Sequence, residues 1–286
     1  MIDPTPLRPA AQATTTACRL PFGDDILVIR ASYRNQRFSR HAHDGYALGV
    51  IEAGALAFRY RGCQVVAPAG SVSLAQPGVP HDGAAAVPEG WRYRMLYLPE
   101  KALAPVLPEG APPPHFRPGV IEDPWLATLI ARTHRVLLAP EPGLLAKQTL
   151  LLALLATWIG RHADAPPVTP SVGREPRAVR LVLTMLEEHF AENPSLDDLA
   201  EAVGLSPWYL ARVVTLTTGL PPHAHLLEFR LRNVRARLAG PQRLADIAAL
   251  VGFADQSHLS RAFRARFGLT PGAYRKIVQN TAAASR

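Results

Sequence analysis

The stretch Leu196-Asp-Asp-Leu-Ala-Glu-Ala-Val-Gly-Leu205 occurs a second time, 48 residues later, as Leu244-Ala-Asp-Ile-Ala-Ala-Leu-Val-Gly-Phe253. Beyond one inserted residue the match continues at an offset of 49, so that Arg212 corresponds to Arg261. A repeat of this length is one supersecondary unit present in two copies. The last third of the chain therefore contains the same small unit twice.

Each copy is typical of two short helices joined by a tight turn. In the first copy Ser195 can cap a helix together with Asp198, and Gly204 has the backbone freedom that a sharp turn needs. Ser206 then caps a second helix, which Gly219 ends. This pattern predicts a helix-turn-helix, whose second helix enters the major groove of DNA.

The second copy carries a resemblance to a known family. The stretch Gly252-Phe-Ala-Asp-Gln-Ser-His-Leu-Ser-Arg-Ala-Phe-Arg-Ala-Arg-Phe-Gly-Leu-Thr-Pro-Gly-Ala-Tyr-Arg275 is similar to the signature of AraC/XylS transcription regulators. The resemblance covers roughly residues 176 to 278, and implies two helix-turn-helix units joined by a long helix. The first copy departs from the family pattern, because Val214 and Thr215 stand where an aromatic and a basic residue are usual.

The charge of the chain is concentrated in the same region. The formal net charge is +8, and from Gly204 to the C-terminus 12 Lys and Arg residues face only three acidic ones. That region therefore carries +9 and the residues before it −1. A basic helical surface is typical of a nucleic-acid-binding protein. We expect double-stranded DNA as a partner, and the family resemblance adds RNA polymerase as a candidate partner.

The first third of the chain has the texture of a β-structure. From about Ile26 to Leu98, short apolar runs alternate with Gly, Pro and Asp, which predicts a small barrel or sandwich with hairpin turns at residues 52–54 and 61–62. His41-Ala-His43 opens one run and His81 closes another. Together these features resemble a cupin, the jelly-roll barrel that forms the effector domain of many AraC-type regulators, over about residues 15 to 100.

The three histidines raise the question of a metal, since neutral imidazoles around one cavity can bind Fe, Mn or Zn. Metal-binding cupins add a carboxylate soon after the paired histidines, but Ala47 and Leu48 stand there and Glu52 comes too late. The sequence therefore favours structural or effector-facing histidines, and predicts no metal and no cofactor. Tyr60 and Tyr93 are further candidates for lining a pocket. The predicted effector-binding residues are His41, His43, Tyr46, His81 and Trp91.

Helices follow the predicted barrel. Asp123-Pro124 starts one, and a second extends from about Leu144 to His162 with leucines on more than one face. By resemblance to AraC-type regulators, the second helix is predicted to pair two subunits in a homodimer, with Leu152 and Leu155 in the interface. The alternative is that both faces are buried within one chain.

We predict an α+β protein of two domains: a cupin-like β-barrel with packed helices, followed by an all-α domain with two helix-turn-helix units. The predicted bounds are 1–164 for the effector-binding and dimerisation domain, 165–176 for a proline-rich linker and 177–279 for the DNA-binding domain. Residues 1 to 20 have no clear period, and we expect them to form a flexible arm.

The predicted base contacts come from the N-terminal ends of the two recognition helices, and Arg264 and Arg266 are the predicted phosphate contacts of the second one. Gln pairs well with adenine and Arg with guanine, whereas other Arg side chains contact phosphates. Ala211 offers only an apolar contact. The predicted DNA-binding residues are Ser206, Trp208, Tyr209, Arg212, Gln256, Ser257, His258, Arg261, Arg264 and Arg266.

The sequence therefore predicts a DNA-binding transcription regulator, not an enzyme, controlled by a small effector in the barrel. A metal-dependent cupin enzyme fused to a DNA-binding module is the alternative, and an alkyl-accepting repair sensor using Cys63 is a remote third. No run of 18 apolar residues and no signal pattern are evident, and two cysteines make no disulfide framework. We expect a cytoplasmic protein that does not bind membranes.

Overall fold

The computed structural model describes residues 13–23, 25–167 and 173–284, with side chains as far as residue 279. The chain forms two compact units, Met1–Ala139 with Leu150–Pro170, and Pro140–Thr149 with Ser171–Arg286. This grouping follows packing, and the predicted domain bounds stay a prediction. Most of the predicted linker, and residues 1–12 of the predicted arm, lie outside the described residues.

The first unit is built on antiparallel strands. Their order in the main sheet is β1-β2-β8-β4-β6-β9, and a second set of pairs joins β3 to β7 and β4 to both β7 and β5. The strands are β1 Thr14–Arg19, β2 Leu27–Tyr33, β3 Arg37–His41, β4 Tyr46–Tyr60, β5 Cys63–Pro68, β6 Val72–Ala75, β7 His81–Ala85, β8 Trp91–Leu98 and β9 Val120–Ile121. The predicted sheet-rich fold is confirmed.

Strand β4 holds the two sets of strands together. Its first part pairs with β6 and β8, and its last six residues pair with β5. The register against β8 shifts between Ile51 and Ala53, and Gly54 has φ 69° with no room for a side chain beside the Gly90 carbonyl. A bulge of this kind bends a strand without ending it. The hairpin predicted at residues 52–54 is therefore wrong, whereas the turn at Arg61-Gly62 joins β4 to β5 as predicted.

The predicted flexible arm is also wrong from Thr14 onward. Residues Thr14 to Arg19 form an edge strand that pairs with β2 over its whole length. All six residues are exposed, so the strand has no alternation of apolar and polar side chains that the sequence could reveal.

Two helices complete the first part of the chain: α1 at Pro124–Leu138 and α2 at Leu144–His162. Asp123 caps α1 by accepting a hydrogen bond from the Leu126 N–H at 3.0 Å. Along α2, Leu151, Leu152, Leu154, Leu155, Trp158 and Ile159 are all buried within the single chain. The two leucines predicted for a subunit interface therefore belong to the core. Among the described residues α2 alone has the length and apolar composition of a membrane span, yet 56% of that window is buried inside the protein, as in a core helix.

The second unit is helical. Its elements are α3 Pro176–Glu188, α4 Leu196–Ala202, α5 Pro207–Thr218, α6 Pro222–Arg237, α7 Leu244–Leu250, α8 Gln256–Phe267 and α9 Pro271–Ala284. The pairs α4–α5 and α7–α8 are the two predicted helix-turn-helix units. Ser195 and Asp198 form the predicted capping box, and Gly219 and Gly268 end α5 and α8 with left-handed backbones.

Arg230 of the joining helix α6 ties this unit together. It is buried, and its guanidinium donates to the carbonyls of Phe190 at 2.8 Å and Glu192 at 2.5 Å, and to Asn193 Oδ1 at 3.0 Å. A buried guanidinium needs such acceptors, because an unpaired charge in the core is costly. This arginine therefore supports the fold and adds nothing to the basic outer surface.

Candidate functional site

The barrel encloses a cavity of about 270 Å³. Strand β8 contributes one face of it, because Trp91, Tyr93, Met95 and Tyr97 alternate along the strand and point to the same side. The other lining residues are Ile29, Tyr33, Phe38, His41, His43, Ala47, Leu56, Phe58, Ser73, Leu74, Ala75, His81, Asp82 and Gly83. The cavity is therefore apolar and aromatic, with a few polar groups.

Four of the five predicted effector-binding residues meet in this cavity: His41, His43, His81 and Trp91. Sequence reasoning missed Tyr33, Phe38, Met95 and Tyr97. The signal for two of these was present, since Met95 and Tyr97 continue the two-residue period that begins at Trp91 and Tyr93. Tyr33 and Phe38 lie where β2 ends and β3 begins, which the sequence pattern did not resolve.

Tyr46 does not line the cavity, which corrects the prediction. It is buried on the other side of β4, where its hydroxyl donates to the Pro114 carbonyl at 2.7 Å and its ring packs edge-on against Phe116 and Trp158. Neighbouring residues of a strand face opposite sides, and Ala47 occupies the cavity side. Tyr60 is likewise outside the cavity lining, and its hydroxyl accepts a hydrogen bond from Gln76 Nε2 at 3.3 Å.

Three of the polar side chains of the cavity are histidines in mutual contact. The ring centres of His41, His43 and His81 are 4.6–4.9 Å apart, and one nitrogen from each lies within 4.8 Å of the others. Burial, and then the neighbouring imidazoles, lower the pKa of His43 to about 4. Burial also lowers the pKa of His81. His43 and His81 are therefore neutral near pH 7.

Glu52, the acidic residue of strand β4, forms ion pairs away from the histidines. Its oxygens lie 3.1 Å from Arg30, 3.4 Å from Arg92 and 2.7 Å from Arg94. The sequence-based view that Glu52 comes too late along the strand to join the histidines agrees with this position. The side chains with polar atoms that line the cavity are the three histidines, three tyrosines, Trp91, Ser73 and Asp82.

Helix α8 presents a polar outer face at its N-terminal end. Gln256, Ser257, Arg261 and Arg264 are exposed, whereas Leu259 and Phe263 are fully buried. Asp255 caps the helix by accepting from the His258 N–H at 2.6 Å. An exposed Gln and Arg at the start of a helix match the groups that read base edges in the major groove.

His258 differs from its prediction as an outward-facing reader. Only 15% of its side chain is exposed, its ring packs edge-on against Phe253, and its Nδ1 lies 3.5 Å from Glu141 Oε2. Burial is the main cause of its lowered pKa. The position falls on the inner side of the helix turn, next to Leu259, so the ring is not directed at the face that carries Arg261.

The matching face of α5 is less exposed. Ser206 is exposed and caps the helix through Oγ, which accepts from the Tyr209 N–H at 3.3 Å. Tyr209 and Trp208 are half-buried, and the Tyr209 hydroxyl accepts from the Gly173 N–H at 2.9 Å. Ala211 is buried in the core, so it is not placed to offer the apolar contact expected of it.

The two predicted phosphate-binding arginines of α8 have different surroundings. Arg264 is exposed, and Arg266 Nε lies 2.5 Å from Glu228 Oε1 of α6. Val214 and Thr215 occupy the positions of Phe263 and Arg264 in the first unit. Val214 is fully buried, and the Thr215 hydroxyl donates to the Ala211 carbonyl at 2.6 Å. The first unit thus lacks a cation where the second has Arg264.

Comparison with known proteins agrees with these features. Residues 25–155 match the family described as the AraC-like ligand binding domain, and residues 199–277 match a helix-turn-helix domain. YbfI of Bacillus subtilis, an uncharacterized HTH-type transcriptional regulator, is 32% identical over 232 residues, which cover 78% of this chain and 82% of YbfI. The chain belongs to the AraC family of transcription regulators.

Two further relatives show the extent of the likeness. The HTH-type transcriptional activator RhaS of Escherichia coli is 25% identical over 260 residues, covering 88% of this chain and 92% of RhaS. The solved C-terminal domain of AraT from Geobacillus stearothermophilus is 27% identical, with a TM-score of 0.34, over 35% of this chain and 84% of that domain.

Membership of the AraC family decides between the functions that the sequence left open. The chain is a DNA-binding transcription regulator with an N-terminal ligand-binding domain, and the comparisons favour this over a cupin enzyme. In this AraC-family regulator the ligand-binding match includes the strands that enclose the cavity. The helix-turn-helix match includes both α5 and α8.

Proposed function

We propose that this AraC-family regulator reads its operator mainly through α8, and that a small effector with an aromatic or otherwise apolar body occupies the barrel cavity. The observation that carries the first part is the exposed set Gln256, Ser257 and Arg261 at the N-terminal end of α8. In this assignment Arg264 contacts a phosphate, and Ser206, Trp208, Tyr209 and Arg212 form the secondary contact surface on α5.

Two features of the cavity support the effector class. Tyr33, Phe38, Trp91 and Tyr93 form adjoining aromatic walls, with ring centres 5.3–6.2 Å apart. The Trp91 Nε1 is buried and has no hydrogen-bond partner among the described residues. A buried donor without an acceptor is costly, so an acceptor on the effector would satisfy it. Burial raises the pKa of Tyr93 and Tyr97, which keeps both hydroxyls protonated as donors.

The assembly is part of the same proposal. A homodimer through α2 fits the helix if the contact uses a strip of small residues: Ala153, Ala156 and Thr157, which are partly exposed, and Gly160, which is exposed. Small residues let two helices approach closely. The relative RhaS is named a transcriptional activator, which makes RNA polymerase a candidate partner. We further infer a cytoplasmic protein that regulates transcription and catalyses no reaction, as its relatives are transcription regulators.

Selection of bound sequences from a random duplex pool by the full-length protein tests the DNA assignment. Arg261→Ala should relax the sequence preference at one or two positions. Arg243→Ala is the matched control, because Arg243 is an exposed arginine of the same unit, 3.6 Å from Asp246 at the start of α7. Unchanged preference with Arg261→Ala would remove α8 as the main reader. For the cavity, effectors are first found by ligand-induced thermal stabilisation. Trp91→Phe should then lower the affinity for the effector. An effector whose affinity does not change in this variant binds outside the cavity.

A further inference from the structure

The three cavity histidines approach the arrangement of a metal site. His41 ends β3, His43 follows two residues later, and His81 begins β7, which pairs with β3 at His41. Three nitrogens that are at most 4.8 Å apart lie within about 2.8 Å of a common point, against metal–nitrogen bonds of about 2.0–2.1 Å. Each nitrogen therefore needs to move inward by only about 0.7 Å to bind one ion.

The second nitrogens of two rings already fix the tautomer that a metal requires. His41 Nδ1 lies 2.7 Å from the Ser39 carbonyl, and His81 Nδ1 lies 3.0 Å from the Val79 carbonyl. A carbonyl oxygen only accepts, so each Nδ1 carries the proton and each Nε2 presents its lone pair. Metal-ligating histidines in proteins are oriented by this same hydrogen bond to a backbone carbonyl. The two rings thus have the support expected of ligands.

Among the residues that line the cavity, Asp82 is the only charged side chain besides the histidines. Neutral imidazole is the ligand form of histidine. Asp82, which also lines the cavity, already accepts from the Arg59 N–H at 2.7 Å through Oδ1. One ring nitrogen from each of the three imidazoles therefore lies around one point inside the cavity.

Contrary to the expectation from the sequence, we propose that His41, His43 and His81 bind one divalent first-row transition-metal ion, which coordinates the effector inside the barrel. Three protein ligands leave at least one coordination position open, as in catalytic zinc sites. Because all three ligands are neutral, the ion keeps its full charge and favours an anionic donor such as a carboxylate or phenolate. The effector class that follows, an apolar ring with a metal-binding anionic group, rests on the proposed effector role of the cavity. The metal site itself does not depend on that role.

The test uses the untagged full-length protein, freed of metal with a chelator. Zn²⁺ binding is measured by competition with a colorimetric zinc chelator, and Co²⁺ binding by its visible absorption, with one ion expected per chain. Removing a residue that only orients a metal ligand lowers metal affinity by about 10–100-fold. Removing a ligand itself should lower the metal affinity at least as much, and this is tested with His41→Ala, His43→Gln and His81→Ala. His189→Ala is the matched control, since His189 is an exposed histidine paired with Glu192 at 2.9 Å.

Folding and function are separated by two further measurements. Zn²⁺ should raise the thermal midpoint of the wild type and of His189→Ala, but not of His43→Gln, whose circular dichroism reports whether it is folded. Less than one-tenth equivalent of either ion in the wild type would overturn the proposal, as would equal binding by the three cavity variants. If metal binds but an aromatic carboxylate neither binds nor alters DNA affinity, the effector role fails while the metal site stands.

Discussion

The guanidinium of Arg212 lies 5.7 Å from the centre of the Trp208 ring, one helical turn earlier on α5. A cation over an indole face gains roughly 0.5–1 kcal/mol at a partly exposed site. In the second unit Ser257 stands where the first has Trp208, so Arg261 has no aromatic ring at the corresponding position. The two equivalent arginines are therefore presented differently: Arg212 is held against the helix, and Arg261 extends from an exposed face.

We predict that Arg261→Ala lowers specific DNA affinity more than Arg212→Ala. Arg261 is exposed beside Gln256 and Ser257, and a bidentate contact of arginine with guanine contributes about 1–3 kcal/mol of discrimination. The stack on Trp208 restrains the Arg212 side chain, which is therefore less able to extend to a base. Both variants are measured against one selected operator and one scrambled duplex at the same salt concentration.

The variant Trp208→Ala removes the stack on Arg212 together with any contact that the indole itself makes to DNA. If the stack restrains Arg212, this change alters affinity for the operator and for the scrambled duplex by different factors. A larger loss with Arg212→Ala than with Arg261→Ala would make α5 the main reader and reverse the ranking.

The second helix-turn-helix unit should also make the stronger phosphate contact. Arg264 is exposed, whereas Thr215 at the matching position donates to a backbone carbonyl. Thr215→Lys should therefore tighten binding to all duplexes alike and steepen the slope of log affinity against log salt by about one unit. Arg264→Ala should reduce that slope by about one unit. Arg232→Ala is a control, because Arg232 forms an ion pair with Glu187 and stacks on Phe229 at 5.2 Å. A preference of Thr215→Lys for the operator alone would contradict a phosphate contact.

The helical half of the protein was the easier half to predict, and the reason is local. Caps and turns depend on residues close in sequence, so their roles can be predicted from the local sequence alone. This holds for Ser195, Asp198, Gly219, Asp255 and Gly268. His258 was misjudged because its exposure depends on Glu141, which is remote in sequence. His258 lies between exposed Ser257 and buried Leu259, and helical spacing alone does not tell which side such a boundary residue faces.

The barrel was harder, because its strands owe their limits to partners far along the chain. The pattern Glu52-Ala-Gly54 is a turn signal, yet β4 continues through it as a bulge, since β8 pairs with both sides. Tyr46 was assigned to the wrong face for a related reason: the alternation along β4 was known, but which face met the helices was not. The cluster of three histidines was found from sequence, whereas the hydrogen bonds that set the tautomers of His41 and His81 required coordinates.

Two substitutions in helix α2 should have different effects, one on the stability of the fold and the other on the formation of the proposed dimer. Leu155 is fully buried, so Leu155→Lys places a charge in the core and should unfold the first unit, at a cost above about 3 kcal/mol. Ala156 is only partly buried, so Ala156→Lys should keep the fold and turn the proposed dimer into a monomer. Sedimentation and circular dichroism of both variants check this. A folded Ala156→Lys dimer would exclude the strip as the subunit contact.

The last prediction concerns pH and the buried histidine of α1. His134 is fully buried: its Nε2 donates to the Ile29 carbonyl at 2.8 Å, and its Nδ1 lies 3.4 Å from Arg94 Nη1, which donates to it. A second proton would remove that acceptor and place a cation beside Arg94. Burial is the main cause that lowers the pKa of His134 to about 4, from an ordinary value of 6.5.

Between these two pH values the unfolded chain binds a proton that the folded chain does not, so the free energy of unfolding falls as pH decreases from 6.5 to 4. Above pH 6.5 this contribution is constant. His134→Gln can keep both hydrogen bonds but cannot titrate, so near pH 5 its stability should depend less steeply on pH, by up to about 1.4 kcal/mol per pH unit. Other histidines with lowered pKa values, such as His43 and His258, are the same in both proteins and cancel in the difference. Urea unfolding from pH 4.5 to 7.5 measures the slope, with His189→Gln as an exposed control. Equal slopes for His134→Gln and the wild type would mean that His134 is protonated in the folded protein.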